Sequence, residues 1–457
     1  MQTGVRLALV LWLVGAAASP AAAAITFIEI RRTEPFAGGA TFGGTGAYVK
    51  VVGVAHGELD PAIPGNRGIV NLERAPRNER GRVEYDVDFY VLRPADPSRG
   101  NRRILYEVTN RGRKLLFAWL HDAGEASALA LNDPSSPEHA GIGFALRLGY
   151  TLVWSGWDPD APAANGGLRI RVPIATDGDK PIVRTIRDEF VFGTRLPAAS
   201  PPAPLSYEAA TLQQASARLT VRARETDAPA EVHRLYLLAG TQHAGRPNTP
   251  PDPGHCRLAR NAHSAAPALR ALLVALDAWV VDGTRPPRNR IPLLRDATLV
   301  DAARLGFPAI PGTEAPRAAN RIAPFDDWVA PKPDTARAYV TLVTKVDADG
   351  NEMTGIRLPG VAAPLGTHTG WNFYRAPQLA GELCDRDGTF VPFAVTKAER
   401  EAAKDPRLSL EERYKDHKGW LAYVRAVAYD LMRERALLKE DGDRIVAAAE
   451  AADPFKR

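Results

Sequence analysis

The sequence has few cysteines, little net charge and only one long apolar run. Its 457 residues include two cysteines, Cys256 and Cys384, which permit one disulfide in an oxidising compartment; two buried free thiols are the alternative. The net charge of +5 is small and evenly scattered, so it gives no indication of a nucleic-acid partner. The composition, with 45% hydrophobic and 24% charged residues, is that of an ordinary globular protein.

The apolar run lies at the N-terminus. Residues 7–17 (LALVLWLVGAA) follow a short segment with one basic residue, Arg6, and precede the small residues 21–24. This order predicts a signal peptide over residues 1–24, with Ile25 as the first residue of the mature chain. The run is shorter than the ~20 apolar residues that cross a bilayer, and no later stretch is long and apolar enough. We therefore expect a secreted or periplasmic protein with no membrane span after signal cleavage.

Strand and helix patterns follow the predicted signal peptide. Residues 83–91 alternate apolar and polar side chains, which predicts a half-buried strand. Residues 103–108 and 150–154 are short apolar runs, typical of strands in a buried parallel sheet. The sequence between them favours helices at residues 113–120 and 140–148. Such a helical crossover predicts that the two strands are parallel and lie in the same sheet.

The second half of the chain adds one strand, one long helix and a helical tail. Residues 232–238 are a candidate strand, and the following helix has an apolar stripe that ends before Gly283: Leu269, Leu272, Leu273, Leu276 and Val280. Residues 336–358 are interpreted as a hairpin with the turn DADGNE, and the tail has capping boxes at Thr396/Glu399 and Ser409/Glu412. The predicted organisation is a signal peptide at 1–24, an N-terminal β-rich segment at 25–98, an α/β core at 99–330, and a hairpin with a helical extension at 331–457.

Two candidate pocket segments follow the two predicted parallel strands. Asn110, Arg111 and Gly112 come after the first strand, where backbone amides could stabilise an oxyanion; a tight turn into a helix is the alternative. The second segment offers Trp154, Ser155 and Trp157 as pocket residues. A nucleophile elbow requires Gly-x-Ser-x-Gly, and the residue two positions before Ser155 is a valine. We therefore do not expect Ser155 to be a nucleophile.

A third candidate is His243, on the loop that follows the strand-like stretch LYLLAG. A histidine delivered to a sheet edge is what acyl transfer requires of its general base, although a solvated loop histidine is the alternative. His255, Cys256 and His263 lie nearby, but their spacing does not resemble a zinc site. The DADGNE turn does not fit a calcium loop, because its glycine lies at the fourth position rather than the sixth and its twelfth residue, Leu358, is not a glutamate. We expect no metal and no cofactor.

Several stretches together resemble the secreted bacterial "alpha/beta hydrolase domain" proteins. They include ILYEVTNRG, GYTLVWSGWD, LAGTQH, PLGTHTGWNFYRAP and GELCDRDGTFVPFA. The resemblance implies an α/β class fold: a partial α/β-hydrolase-like, mostly parallel sheet with an N-terminal β-rich part and a helical C-terminal tail. It implies a carboxylic-ester hydrolase acting on a small ester-like substrate, with His243 as the triad base. The loop after YEVTNRG would supply an oxyanion-hole amide.

The chain departs from this family pattern before LAGTQH. Such proteins carry there a block with the nucleophile elbow and the triad acid, whereas this chain continues directly through RARETDAPAE, with a junction between about residues 223 and 231. We therefore expect a weak or inactive esterase, with a non-catalytic binding or structural role as the alternative. Loss of central strands also predicts that the strand at 232–238 pairs directly with the strand at 103–108, because an exposed apolar groove would be costly. The open groove is the alternative.

Overall fold

The computed structural model describes nine stretches of the chain. These are residues 23–123, 130–162, 166–183, 233–243, 251–316, 334–337, 342–376, 381–384 and 386–456. The predicted signal peptide lies outside them up to residue 22, as does the predicted junction at residues 223–231. No helix within these stretches is long and apolar enough to cross a bilayer.

Strands of the N-terminal half form one mixed sheet of seven strands. They are β1 (Ala23–Pro35), β2 (Thr41–Phe42), β3 (Gly46–Leu59), β4 (Val83–Pro94), β5 (Ile104–Val108), β6 (Thr151–Ser155) and β7 (Ile170–Arg171). The main order is β1-β3-β4-β6-β5, with β2 against β3 and β7 against β4. The sheet therefore continues across the expected boundary between residues 98 and 99, because β4 pairs with β6.

The predicted parallel pair is confirmed. β5 and β6 run parallel, with Ile104 opposite Thr151 and Val108 opposite Ser155, whereas the other ladders of this sheet are antiparallel. Three short helices lie between the two strands: α1 (Leu116–Leu120), α2 (Pro137–Ala140) and α3 (Phe144–Arg147). They are shorter than the predicted helices but lie in the same region. The fold is of the α/β class.

One face of this sheet packs on the main hydrophobic core. The indole of Trp154 is fully buried there, stacked on Phe117 and edge-on to Tyr90. Leu92 and Leu152 are also fully buried and oppose each other in the β4–β6 ladder. The core therefore lies between β4–β6 and the short helices.

The long helix is confirmed, but its buried face is not the predicted one. Helix α4 (Ala266–Asp282) ends at Gly283, which has a φ of +71°, as an αL cap requires. Its fully buried positions are small residues and one arginine, namely Ala266, Ala268, Arg270, Ala271 and Ala275. Leu276 and Val280, from the predicted stripe, are exposed. Small side chains allow close helix packing, so here they form the contact face.

Pairing around the DADGNE turn differs from the predicted hairpin. The turn itself is present, because the amide of Asp347 donates to the carbonyl of Asn351 at 2.8 Å, and Val346 bridges Glu352. However, β11 (Leu342–Thr344) pairs antiparallel with β10 (Leu299–Asp301), a strand distant in sequence. The local pattern predicted the turn, whereas the pairing partner of β11 is determined by tertiary contacts.

Direct pairing between the strand at 232–238 and β5 was a wrong prediction within the described residues. Residue 232 lies outside them, and Tyr236 and Leu238 instead form isolated parallel bridges with Arg290 and Ile356. β5 lies at the end of the sheet. The segment does not pair with β5, because residues of the carboxyl-terminal half form its backbone hydrogen bonds instead. The expected strand is thus reduced to two single bridges.

The remaining elements are one short strand pair and the elements of the C-terminal extension. They are β8 (Thr176–Asp177) and β9 (Lys180–Pro181) before it, then α5 (Pro359–Ala362), β12 (Gly366–His368), β13 (Phe390–Pro392), α6 (Lys397–Ala402), α7 (Leu410–Tyr414), α8 (His417–Arg433) and α9 (Lys439–Ala451). Both predicted capping boxes are confirmed, at the starts of α6 and α7. The apolar face of α8 is buried, with Val424, Ala428 and Leu431 inside.

A buried ion network joins this extension to the core. Arg270 of α4 makes a forked contact with Asp441 of α9, at 2.8 and 2.7 Å. It also donates to Asp122, at 2.8 Å, and to the carbonyl of Leu120. Arg270 and Asp441 are each only 1% exposed. The two parts of the chain are therefore held by a desolvated ion pair as well as by apolar packing.

Candidate site at the His243 turn

A tight turn at residues 239–243 carries His243. Gly240 in this turn has a φ of +71°, which disfavours side chains, and a Cβ there would lie 2.4 Å from Val361 Cγ2. The hydroxyl of Thr241 donates to the carbonyl of Leu238 at 2.8 Å, which closes the turn on itself. The Ala-Gly pair after the apolar run is therefore needed for the backbone geometry that leads to His243.

Three hydrogen bonds from other parts of the chain fix this turn. The Gly240 amide donates to the carboxylate of Glu352 at 2.8 Å, and Asn261 donates to the Gly240 carbonyl at 2.8 Å. The buried side chain of Gln242 accepts from the amide of Gly388 at 2.7 Å. Burial raises the pKa of Glu352, and the Gly240 amide partly opposes this. The turn that presents His243 is thus held rigidly.

Asn261 is the centre of this support. Its side chain is fully buried and donates to the carbonyls of Gly240 and Thr369, at 2.8 and 3.1 Å. Its Oδ1 accepts from the amide of His263 at 3.0 Å and lies 3.0 Å from Nδ1 of His368. Because the oxygen can only accept, His368 carries its proton on Nδ1. Every donor and acceptor of this amide is therefore used.

Two further imidazoles, those of His263 and His368, lie behind the turn. Their ring centroids are 5.1 Å apart. Burial lowers the pKa of His263 to about 4, and burial together with His263 lowers that of His368 to about 3. Both rings are therefore neutral at pH 7. They are packing partners of the turn rather than solvent-facing bases.

His243 itself is exposed and faces a cation. Its Nε2 lies 3.4 Å from Nη1 of Arg386. A guanidinium has only donors, so Nε2 is the acceptor in this contact. Arg386 lies two residues after Cys384, which is disulfide-bonded to Cys256. The bond therefore anchors the loop that brings the guanidinium to the imidazole.

A metal site at this place receives no support from the described residues. They contain no group of three His, Cys, Asp or Glu side chains arranged to hold a metal ion. Cys256, which the sequence places between His255 and His263, is engaged in the disulfide. The DADGNE turn is closed by its own backbone and side chains, with the amides of Asp349 and Asn351 donating to Asp347.

The first predicted pocket segment, residues 110–112, forms a tight turn. Asn110 and Arg113 exchange backbone hydrogen bonds of 2.8 and 3.2 Å, so the Asn110 amide already has an acceptor. Arg111 and Gly112 have φ values of +50° and +83°. The Arg111 guanidinium donates to the buried carboxylate of Asp158 at 2.6 Å. This turn leads to α1, and an oxyanion role for it stays a prediction.

Trp154, of the second segment, lies in the core rather than on a pocket wall. Its indole nitrogen donates to the carboxylate of Glu107. The same carboxylate accepts from the amides of Leu115 and Leu116, at 2.8 and 3.1 Å, at the start of α1. Burial raises the pKa of Glu107, while these hydrogen bonds oppose the rise. Period-two alternation placed Trp154 on the buried face of β6.

Ser155 and Trp157 are more accessible but lie apart from His243. The hydroxyls of Ser155 and Tyr106 are 2.7 Å apart, and the half-exposed Trp157 donates to the carbonyl of Thr109 at 2.5 Å. Within the described stretches, no hydrogen bond, ion pair or ring contact joins the residues of either segment to His243. The structure thus divides the predicted site residues into two separate groups.

A cavity of about 290 Å³ lies in a third place. It is lined by Phe144, Arg147, Leu148, Val274, Leu438, Lys439 and Glu440. These residues come from α3, α4 and the start of α9, and none was predicted as a site residue. Arg147 and Glu440 form an exposed ion pair at its rim, at 3.1 Å. The cavity is mainly apolar and has no serine, cysteine or histidine among its lining residues.

Residues missed by sequence reasoning are those that support the turn. Asn261, Gln242 and Glu352 have no local pattern, because their partners are about 20 to about 150 positions away in the chain. The only available signal was the LAGTQH stretch, which contains Gln242, and the GTHTGW stretch, which contains His368. The pairing of Arg386 with His243 had no signal in the sequence.

Comparison with known proteins adds the family. Residues 195–447, more than half of the chain, match the family described as "Alpha/beta hydrolase domain". The match includes His243, Asn261 and both cysteines, whereas β1 to β6 precede it. Neither the curated proteins nor the solved structures contain a match to this chain. The chain belongs to the alpha/beta hydrolase domain family.

Proposed function

We propose that this chain derives from carboxylic-ester hydrolases, keeps their catalytic histidine as His243, and hydrolyses esters weakly or not at all. The contact between Arg386 and Nε2 of His243 carries this proposal. In ester hydrolysis by a serine nucleophile, the free lone pair of a neutral imidazole takes up the proton of the nucleophile. Here that lone pair faces a guanidinium, which cannot give up its proton at ordinary pH.

Within the described stretches, the surroundings of His243 also lack a hydroxyl to activate. Base and nucleophile must lie within about 2.6–3.2 Å of each other for this chemistry. None of the serines in the described stretches hydrogen-bonds to His243, and the hydroxyl of Ser155 is paired with Tyr106. This supports the absence of a serine nucleophile.

We further infer that a block with the nucleophile elbow and the triad acid is missing between about residues 223 and 231. The sequence contains no Gly-x-Ser-x-Gly. β5 is at the end of its sheet, a position consistent with the loss of neighbouring strands. Sequencing the genomic DNA around codon 225 tests this inference. A continuous reading frame through an inserted elbow would contradict it.

A non-catalytic binding or structural role is the second candidate, and the same Arg386 contact favours it. A small ester-like molecule is the ligand class that fits a hydrolase-derived site. The two candidates differ in one measurable quantity, the dependence of ester hydrolysis on His243.

The test compares p-nitrophenyl ester hydrolysis by the mature protein and by His243→Ala and Arg386→Gln variants. General base catalysis contributes roughly 100-fold or more, so an active enzyme would lose at least that factor on His243→Ala. We expect no such loss, because no hydroxyl of the described stretches is paired with the imidazole. Arg386→Gln is the matched control: it frees Nε2 but supplies no hydroxyl, so it should not create activity. A loss of roughly 100-fold on His243→Ala would contradict the proposal.

We also propose that the protein is exported. The support is the order of basic, apolar and small residues over positions 1–24. Expression in a bacterial host with and without these residues tests it. We expect the full chain in the periplasm or medium, with a mature N-terminus at Ile25, and the shortened chain in the cytoplasm. Cytoplasmic full-length chain that keeps residues 1–24 would contradict export.

A further inference from the structure

The inference concerns the sheet face opposite the core. Residues that oppose one another in a ladder share a face, so the registers define rows across the sheet. One row is Ile30, Gly53, Phe89, Ser155 and Val108, running from β1 through β3, β4 and β6 to β5. All five strands therefore contribute to a single face, which we call the open face.

The next rows of the open face have the same character. Val51, Val91, Val153 and Tyr106 oppose one another in turn from β3 to β5. On the other side, Ile28 opposes Ala55, which opposes Val87. None of these residues is charged. The open face is uncharged in these rows, and Arg93, opposite Val49 at one end of β4, is its charged residue.

The opposite face of the same strands is charged where it is not part of the core. Glu29 and Asp86 form ion pairs there with Arg31 and Arg171. Lys50 is buried and paired with Asp133 at 2.8 Å. The charges of β1, β3 and β4 thus lie mostly on this side; Arg93 of β4, which opposes Val49, is the exception on the open face.

The open face has no complete covering layer in the described part of the chain. At its two borders, Ile30 is 62% exposed, Ile104 is 68% exposed and Val108 is 65% exposed. Central residues such as Phe89 and Val153 are only half-buried. Sheets of α/β proteins are normally covered on both faces. A contiguous apolar surface of this kind marks an interaction site.

The shape of the open face selects its partner. The ring of Phe89 lies over Gly53, and that of Tyr85 lies over Gly57, where a Cβ would be 2.7 and 2.3 Å from the rings. The glycine positions are thus filled, so the face has no deep groove for a single helix or strand. Five strands about 4.8 Å apart make the face about 20 Å wide, about twice the diameter of a helix. A second sheet matches this width.

We propose that the open face is the dimer interface of this protein, covered by the open face of a second copy of the chain. Two sheets pack face to face about 10 Å apart with interdigitated side chains, and a predominantly apolar face is complementary to itself. The outline is about 20 Å by 20 Å, so two copies together cover roughly 800 Å² of sheet face, which is the size of a weak interface. A two-fold arrangement closes as a dimer and does not polymerise.

Sedimentation equilibrium of the mature protein between about 0.1 and 50 μM tests the proposal. We expect a dimer only at the upper end of this range, because small interfaces give weak association. The variants Ile104→Lys and Ile30→Lys place a cation at either border of the interface. They should weaken the dimer at least roughly tenfold, because each buries an unpaired charge twice. Their far-UV circular dichroism should be unchanged, because both positions are exposed in the single chain.

Val280→Lys is the matched control. Val280 is 76% exposed on α4, outside the open face, so its substitution should leave the dimer intact. A wild-type chain that is monomeric at about 50 μM would overturn the proposal, and residues 184–232 of the same chain would then be the occupant to examine. A dimer that survives both lysine substitutions in folded protein would overturn it as well.

Discussion

Removing the carboxylate of Asp441 should destabilise the protein strongly. Arg270 is buried and its guanidinium is held by a forked contact with Asp441 and by Asp122. Breaking a buried ion pair by removing one partner costs about 3–5 kcal/mol, because the other charge stays buried. Asp122 remains in Asp441→Asn, so we expect the lower end, about 3 kcal/mol. Equilibrium urea unfolding, followed by tryptophan fluorescence, measures this loss.

Two comparison variants make this prediction specific. In Arg270→Met/Asp441→Leu both partners become apolar, and the loss should be much smaller than for Asp441→Asn, since a well-packed apolar pair often replaces a buried ion pair without loss. Glu440→Gln removes only the exposed partner of Arg147, so it should change the free energy of unfolding by less than about 1 kcal/mol. A loss below about 1 kcal/mol for Asp441→Asn would refute the reasoning.

Three further predictions concern stability. Burial lowers the pKa of Lys114 from its ordinary 10.5 to about 7. Between these values the unfolded chain binds more protons than the folded chain, so the free energy of unfolding rises with pH across this window. Lys114→Met should abolish this rise, measured by urea unfolding at pH 7 and pH 10, and an unchanged rise would contradict the prediction. Gly240→Ala should cost at least about 1 kcal/mol, because φ is positive and the Cβ meets Val361; an unchanged melting curve would argue against this. Cys384→Ser opens a crosslink that spans 128 residues and should lower the free energy of unfolding by about 2–5 kcal/mol, whereas equal denaturant midpoints with and without the bond would oppose it.

Local patterns predicted the elements of this fold well. The period-two alternation of residues 83–91 became β4, and the glycine at position 283 ended the long helix. Both capping boxes appeared where Thr396 and Ser409 indicated them. These features depend on residues that are near in sequence, so a short window contains the physical cause. The parallel β5–β6 pair also followed from its helical crossover.

The pairing and packing partners of these elements could not be predicted from local sequence patterns. Residues 235–239 have the composition of a strand, yet their backbone bridges Arg290 and Ile356 rather than β5. Likewise α4 buries alanines and Arg270 because its neighbours in space admit small side chains and supply two carboxylates. Such outcomes are decided by surfaces formed elsewhere in the chain.

The candidate site shows the same division. The turn and its histidine were predictable from Ala-Gly-Thr-Gln-His, because glycine permits the positive φ and the loop follows an apolar run. The position of Arg386 was not, since 143 residues separate it from His243. The sequence therefore indicated a candidate base, whereas the guanidinium beside it is brought there by the tertiary fold.

Covalent labelling with a fluorophosphonate tests the absence of an activated nucleophile most directly. The mature protein is incubated with the probe and its intact mass is measured beside that of His243→Ala. Because no hydroxyl in the described stretches is paired with His243, we predict no adduct on either protein. One adduct per chain on the wild type, lost in His243→Ala, would contradict the account, and the labelled serine would be the nucleophile.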